Sequence, residues 1–417
     1  MRSKMALLIT VPFILLSMLC LTTSSLGASS EVQFLLTDSA SGTYVCQKSI
    51  KAADLGLGGN WSIEKKRLRG GRQDGVDLII VNNGRLTFTI VPTRGMSIWN
   101  VRSKETRLGW DSPTTEIVHP NFVDLTIDNG LGWLHGFGAF LPRCGLGWFG
   151  NPGPDEATGD NLVLHGLIDY IPASRVEVTV DTQLPHTIKV IGTLHEQRLF
   201  RPSLELQSVF STEPDSLQFT VDDTIVNRGG VPAECGMLYH PDHGHPFLAE
   251  GSRIVAPFAR ITPQSKGGFP ESTPEEIVTY REPRAGYSMQ VYLTKLNGDS
   301  NGMTKLMLRN KAGDLGVSYS YSLEQLPCLT VWKNLVALED GYVTGIEPGT
   351  AYPNHRSIER KNGHYPKLGP GQSRNFQVTF ELAVGSQRVS EIESEIEAIQ
   401  GYKRTVYDKD AVEGISY

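Results

Sequence analysis

An all-β fold, a sandwich of large antiparallel sheets, is what the sequence predicts, and three observations predict it. Apolar and polar residues alternate through a series of short runs, turn residues cut those runs at short intervals, and only one segment carries a helical period. Leu78-Ile79-Ile80-Val81, Asn82-Asn83-Gly84 and Leu86-Thr87-Phe88-Thr89-Ile90 read as a hairpin. Asn-Gly is the strongest short turn signal, and Leu86, Phe88 and Ile90 fall on one face. The same alternation predicts strands over 175–180, 187–194, 204–210, 217–221 and 376–382. Ser390 and Glu393 form a capping box, and Ile392, Ile396 and Ile399 share a face, which predicts one C-terminal helix on the outside of the sandwich. Segments 150–161 and 262–276 are rich in turn residues and read as surface loops. Lys65-Lys66-Arg67-Leu68-Arg69, the one dense basic stretch, reads as a solvated turn before a strand.

Residues 1–28 read as an export signal. Arg2 and Lys4 precede an apolar stretch from Met5 to Leu21, broken by Pro12, and small residues follow to Ala28. The apolar part is short for a membrane span of about 20 residues. The expectation is therefore export and release, with no stable membrane insertion after the signal is removed. A net charge of −6, with no basic cluster beyond 65–69, argues against nucleic acid as a partner. Cys46, Cys144, Cys235 and Cys328 permit two disulfides in an exported chain, but Cys144 and Cys235 lie in apolar segments where free buried thiols fit as well. With no repeat and no linker, the chain divides into a signal (1–28), an N-terminal extension (29–59), one sandwich domain (60–385) and a C-terminal helix and tail (386–417). Nothing in the sequence bears on oligomeric state.

Glu347 is the leading candidate for chemistry. It stands near the end of an apolar run, Tyr342-Val343-Thr344-Gly345-Ile346-Glu347, closed by Pro348-Gly349, where desolvation raises a carboxyl pKa toward the range of a general base. His165 and His240 lie in segments of similar character, and His165 precedes Gly166, which lets another backbone or a ligand come close. Arg94 and Arg143 sit among apolar residues, so each must meet a carboxylate, a carbonyl or a ligand hydroxyl. Trp332 either stacks on a flat face of a ligand or packs in the core. Its neighbour Lys333 points to the opposite face of a strand, so the two do not serve one ligand equally. His240, His243 and His245 invite a metal reading. No second ligand cluster accompanies them, and neither a metal nor another cofactor is expected. A phosphate loop and a nucleophile elbow are absent from the sequence.

A series of motifs runs in order along residues 60–385. They are Leu68-Arg69-Gly70-Gly71-Arg72, Pro92-Thr93-Arg94-Gly95-Met96, Leu141-Pro142-Arg143-Cys144-Gly145-Leu146, Leu164-His165-Gly166 and Leu238-Tyr239-His240. Trp332-Lys333-Asn334, Gly345-Ile346-Glu347-Pro348 and Leu368-Gly369-Pro370-Gly371-Gln372-Ser373 complete it. The ordered series resembles the aldose 1-epimerase (galactose mutarotase-like) superfamily, and within it a domain-of-unknown-function branch with exported members. The resemblance implies a β-supersandwich with an open carbohydrate cleft. It implies Glu347 as general base, His240 as general acid and His165 as a sugar ligand near the anomeric centre, with a small-molecule carbohydrate as partner. One segment departs from the family pattern: Pro241-Asp242-His243-Gly244-His245-Pro246 follows His240, where mutarotases commonly have Ser-Tyr-Phe. The expected activity is interconversion of sugar anomers, with Arg94, Arg143, Trp332 and Lys333 as further substrate contacts. Two rivals stand beside it: a binding protein without turnover, and an isomerase or lyase acting on a modified sugar.

Overall fold

Period-two alternation becomes three large antiparallel sheets. The computed structural model describes residues 30–104, 106–269 and 272–416, and the expected signal at 1–28 lies outside them. A ten-stranded sheet runs Arg253–Val255, Met303–Arg309, Leu315–Ser322, Ser373–Val384, Gln218–Asn227, Leu204–Thr212, Ile188–Glu196, Arg175–Asp181, Glu31–Asp38, Thr43–Tyr44. A six-stranded meander covers Lys48–Lys51 to Thr106–Leu108 in chain order. The third, eight-stranded sheet has Cys328–Asn334 and Val343–Gly349 at its centre, then Gly236–Tyr239 and Arg143–Leu146. Their apolar faces share one core. Phe88 of the meander meets Phe210 and Phe219 of the ten-stranded sheet at 4.7 and 5.1 Å, and Val331 and Ile346 enter from the third sheet.

The hairpin at Asn82-Asn83-Gly84 forms as the sequence predicts. Gly84 takes a φ of 102° and its N–H donates to Asn82 Oδ1, while Asn83 Oδ1 accepts from the Arg85 and Leu86 N–H groups. The Asn83 amide also donates to Thr212 Oγ1 and to the carbonyls of Glu213 and Ser216, clamping the turn to the ten-stranded sheet.

Several expectations change. The basic stretch is strand rather than solvated turn: Ser62–Arg67 pairs on both sides, and buried Lys65 donates to Leu36 O and Thr37 Oγ1 and faces Asp77 at 3.5 Å. Residues 31–51, expected as an extension, supply edge strands of two sheets, because Val32, Phe34 and Leu36 continue the alternation. The C-terminal helix begins earlier than its capping box suggests, at Ser386, with Gly385 as N-cap at φ 93°. Strand Ser373–Val384 runs directly into it, so Ser390 lies in the second turn and Glu393 pairs with Arg309. Its Val389, Ile392 and Ile396 pack on Met307 and Ala383, outside the ten-stranded sheet. Segment 150–161 holds a short hairpin, Gly153–Asp155 with Asp160–Leu162, ordered by Arg356 and Arg360 on buried Asp155. Segment 262–276 holds the start of a short helix, Pro274–Val278, capped by Thr273 and Glu276. Cys46, Cys144, Cys235 and Cys328 are all free thiols.

Arg143 is the point where the three sheets are joined. From the third sheet its Nε donates to Asp223 at 2.6 Å and its Nη2 to Ser208 at 2.9 Å, both in the ten-stranded sheet. Nη1 donates to Met96 O at 2.7 Å, in the turn that opens strand Ser97–Ser103 of the meander. The pair is almost wholly buried, and removing one member of such a pair strands the other charge. Arg143→Ala is expected to lower stability by about 3–5 kcal/mol in urea unfolding. A change near zero shows that water reaches Asp223 and that the pair is not what holds the sheets together.

Candidate active site

Strand register places the chemistry. Leu238 pairs with Gly349 and Asp242 with Gly345, so His240 falls directly opposite Glu347. On the other flank Thr330 pairs with Glu347, and Trp332 with Gly345. Thr330, Trp332, Glu347, His240 and Asp242 therefore share one face of the third sheet. Glu347 lies inside its strand, not at its end, because pairing continues through Pro348 to Gly349. The His240 N–H donates to Pro142 O and the Asp242 N–H to Phe140 O, which seats this segment against the strand bearing Arg143.

The side chains form a chain of three. His240 Nε2 lies 3.3 Å from Glu347 Oε1, and His240 Nδ1 lies 3.0 Å from both carboxylate oxygens of Asp242. Gly345 makes the approach possible: a Cβ there would overlap Glu347 Oε1 and reach 3.3 Å from His240 Cε1. Glu347 is 2 % exposed and His240 4 %. Burial pushes the Glu347 carboxyl up to about 7, with Asp242 adding to the rise and His240 opposing it. Burial, with Asp169 nearby, also holds the Asp242 carboxyl well above its ordinary range.

His165 joins from a loop. It takes φ 58°, in the left-handed region, and Gly166 follows at φ 77°, where a side chain would overlap the carbonyls of Gly145 and Trp148. This sharp turn brings the His165 ring to 5.3 Å from His240. Burial and His240 push the His165 pKa well below its ordinary value, so it is neutral at pH 7. Aromatic rings wall the group: Trp133 at 5.0 Å from His165, and Phe137 and Trp332 at 5.4 and 5.8 Å from His240. Trp332 and His165 are partly exposed. His165 Nδ1 and Trp133 Nε1 are buried without a hydrogen-bond partner among the described residues.

The structure brings Glu347, His240, His165 and Trp332 together, but not the three cationic candidates. Arg143 is spent on the inter-sheet contacts above. Arg94 pairs with Asp169, donates to the carbonyls of Asp169, Val118 and Gly136, and stacks over Tyr170 at 4.1 Å. Lys333 lies on the opposite face from Trp332, beside Thr344, as strand alternation requires. Its ammonium donates to the carbonyls of Glu276, Ile277 and Thr279, and burial pushes its pKa down to about 7. In each case a buried cation found carbonyls or a carboxylate within the fold. His243 and His245 diverge from His240: His243 is turned inward onto Tyr319, Phe140 and Phe247, and His245 is exposed. Trp133, Phe137 and Gly345 were not legible as site residues. The spacing of Asp242, two residues after His240 on a strand, was the one signal available.

Residues 73–382 match the model of a family described as a domain of unknown function (DUF4432). The curated proteins contain no match. Among solved structures the chain is 34% identical to a candidate aldose 1-epimerase from Klebsiella pneumoniae, covering 92% of this chain and 99% of that one at a TM-score of 0.88. A Synechocystis protein (TM-score 0.52, 15% identity, covering 76% of this chain and 99% of that one) shares the fold. So does a galactose mutarotase-like protein from Clostridium acetobutylicum (TM-score 0.50, 15% identity, 77% and 98%).

A raised carboxyl pKa has a consequence for stability. Between the ordinary Glu value and about 7 the folded chain holds a proton that the unfolded chain has released, so this group makes stability fall as pH rises through that window. Glu347→Gln is expected to be more heat-stable than the parent at pH 8, with the gap closing toward pH 4.5. A difference in melting temperature that does not change with pH means Glu347 is not desolvated as described.

Proposed function

We propose that this chain, which belongs to the DUF4432 family and has a galactose mutarotase-like fold, is a sugar 1-epimerase acting through Glu347 and His240. The observation that carries the reading is the buried cross-strand pair at 3.3 Å, with a carboxyl poised near neutrality. The name of the Klebsiella relative supports it. The two oxygens on one anomeric carbon sit closer together than Glu347 and His240 do, so a single sugar carbon set at the pair can meet both groups.

Glu347 as carboxylate takes the proton of the anomeric hydroxyl while His240 Nε2–H protonates the ring oxygen. The bond from the anomeric carbon to the ring oxygen breaks, leaving the open-chain aldehyde. Rotation about the adjacent carbon–carbon bond turns the carbonyl face, and closure runs with the proton roles reversed. Asp242 fixes the imidazole through Nδ1, and closure itself returns Glu347 and His240 to their starting protonation states. Acid and base assistance of this kind gives roughly 10²- to 10⁴-fold each, enough for a reaction that water already performs slowly. His165 and Trp133 supply hydrogen bonds to the sugar, and Trp332 a flat apolar wall.

A binding protein without turnover is the second reading. What favours it is that Glu347 and His240 already satisfy each other. The same experiment separates the two. Freshly dissolved hexoses, pentoses and 6-deoxy sugars are followed to anomeric equilibrium by polarimetry or exchange NMR. Acceleration is expected for at least one sugar, with an acidic limb near pH 7 in kcat/KM, because Glu347 must be ionised to act as base. Glu347→Gln is expected to abolish the acceleration while sugar still binds. Adding His240→Asn is expected to cost little more, since the two act as a unit. Tight binding with no acceleration across the panel overturns the epimerase reading.

We further propose export, on the basis of Arg2, Lys4, the short apolar stretch and the small residues to Ala28. N-terminal sequencing that finds Met1 on the mature protein excludes it.

A further inference from the structure

A cavity of about 640 Å³ lies apart from Glu347 and His240, neither of which lines it. It opens beside the loop at 197–202. Five cationic side chains face it against three carboxylates, Asp160, Glu196 and Glu234.

The cations are not equally satisfied. Arg356 and Arg360 are held by Asp155, and Arg360 also by Glu234. Arg198 and Arg201, by contrast, share a single oxygen, Asp160 Oδ1, at 2.8 and 2.9 Å. Lys367 is exposed and makes no ion pair among the described residues. Arg356 also lies 3.7 Å from Asp160 Oδ2, and one carboxylate facing three guanidinium groups leaves positive charge and free N–H donors at the rim, where a ligand carboxylate can bind an arginine fork. The cavity also has flat surfaces. Trp148 is partly exposed, with its Nε1 tied to Val163 O, and Phe200 is 87 % exposed at the rim.

We propose that this cavity is a second ligand site, for a small acidic saccharide that carries a carboxylate and several hydroxyls. Arg198, Arg201 and Lys367 meet the carboxylate. Trp148 and Phe200 meet the apolar face of the ring, and Glu234 with Asp160 accepts from hydroxyls. The three carboxylates oppose a phosphate dianion, and a volume of this order suits a mono- or disaccharide.

Isothermal titration of the whole protein with D-galacturonate tests the assignment, with D-galactose and inorganic phosphate as companion probes. Saturable binding of galacturonate is expected, weakened about tenfold or more by Arg198→Ala and by Lys367→Ala, as loss of a charged hydrogen bond implies. Trp332→Ala, which removes a wall of the proposed epimerase centre and does not line this cavity, is expected to leave it unchanged, which separates the two sites. Absence of saturable binding overturns the proposal, as does equal affinity for galactose. Tighter binding of phosphate overturns the saccharide class, and loss of galacturonate binding in Trp332→Ala returns the ligand to the epimerase centre.

Discussion

The buried contact between Arg143 and Asp223 is the constraint on which the remaining architecture rests. Three twisted sheets do not pack on one another in a fixed register by apolar area alone, because burial is not directional. A guanidinium with donors in a rigid fork is directional. By reaching Asp223 and Ser208 in one sheet and the Met96 carbonyl in another, Arg143 sets where its own strand must lie. The carbonyls just before it, of Phe140 and Pro142, then accept from Asp242 and His240. The candidate centre thus hangs directly from the joint between the sheets.

Once that strand is placed, register does the rest. His240, Glu347 and Asp242 are ordinary cross-strand and same-strand neighbours on one face, and their closeness needs no special loop. The missing side chain at Gly345 lets two charge-bearing groups touch. The wall of Trp133, Phe137 and Trp332 keeps water from the carboxyl, so desolvation moves its pKa toward neutrality without a covalent or ionic partner beyond this chain. The site belongs to a fold that hosts many chemistries, so its functional reading comes from this arrangement and not from the sheets.

Two kinds of arginine emerge from the same lattice of carbonyls and carboxylates. Arg94 and Arg143 are saturated by the fold and act as joints. Arg198 and Arg201 crowd one carboxylate oxygen and keep donors for something else. What separates them is supply: a buried guanidinium is stable only where the backbone has turned enough acceptors toward it, and an exposed one has water to make up the difference.

Read alone, the sequence determined the strands, the hairpin at Asn83-Gly84, the amphipathic C-terminal helix and the order of motifs that marks the fold. These rest on local periodicity and turn chemistry, which neighbouring residues dictate. It also singled out Glu347, His240 and His165, because a polar residue inside an apolar segment is unusual wherever that segment ends up. Only the tertiary structure decided that Arg94, Arg143 and Lys333 serve the interior and that Asp242, Trp133 and Gly345 belong with the pair. Whether a buried cation meets a ligand or a carbonyl depends on segments far away in the chain. Arg143 and Asp223 are eighty positions apart, and no local pattern records that they touch.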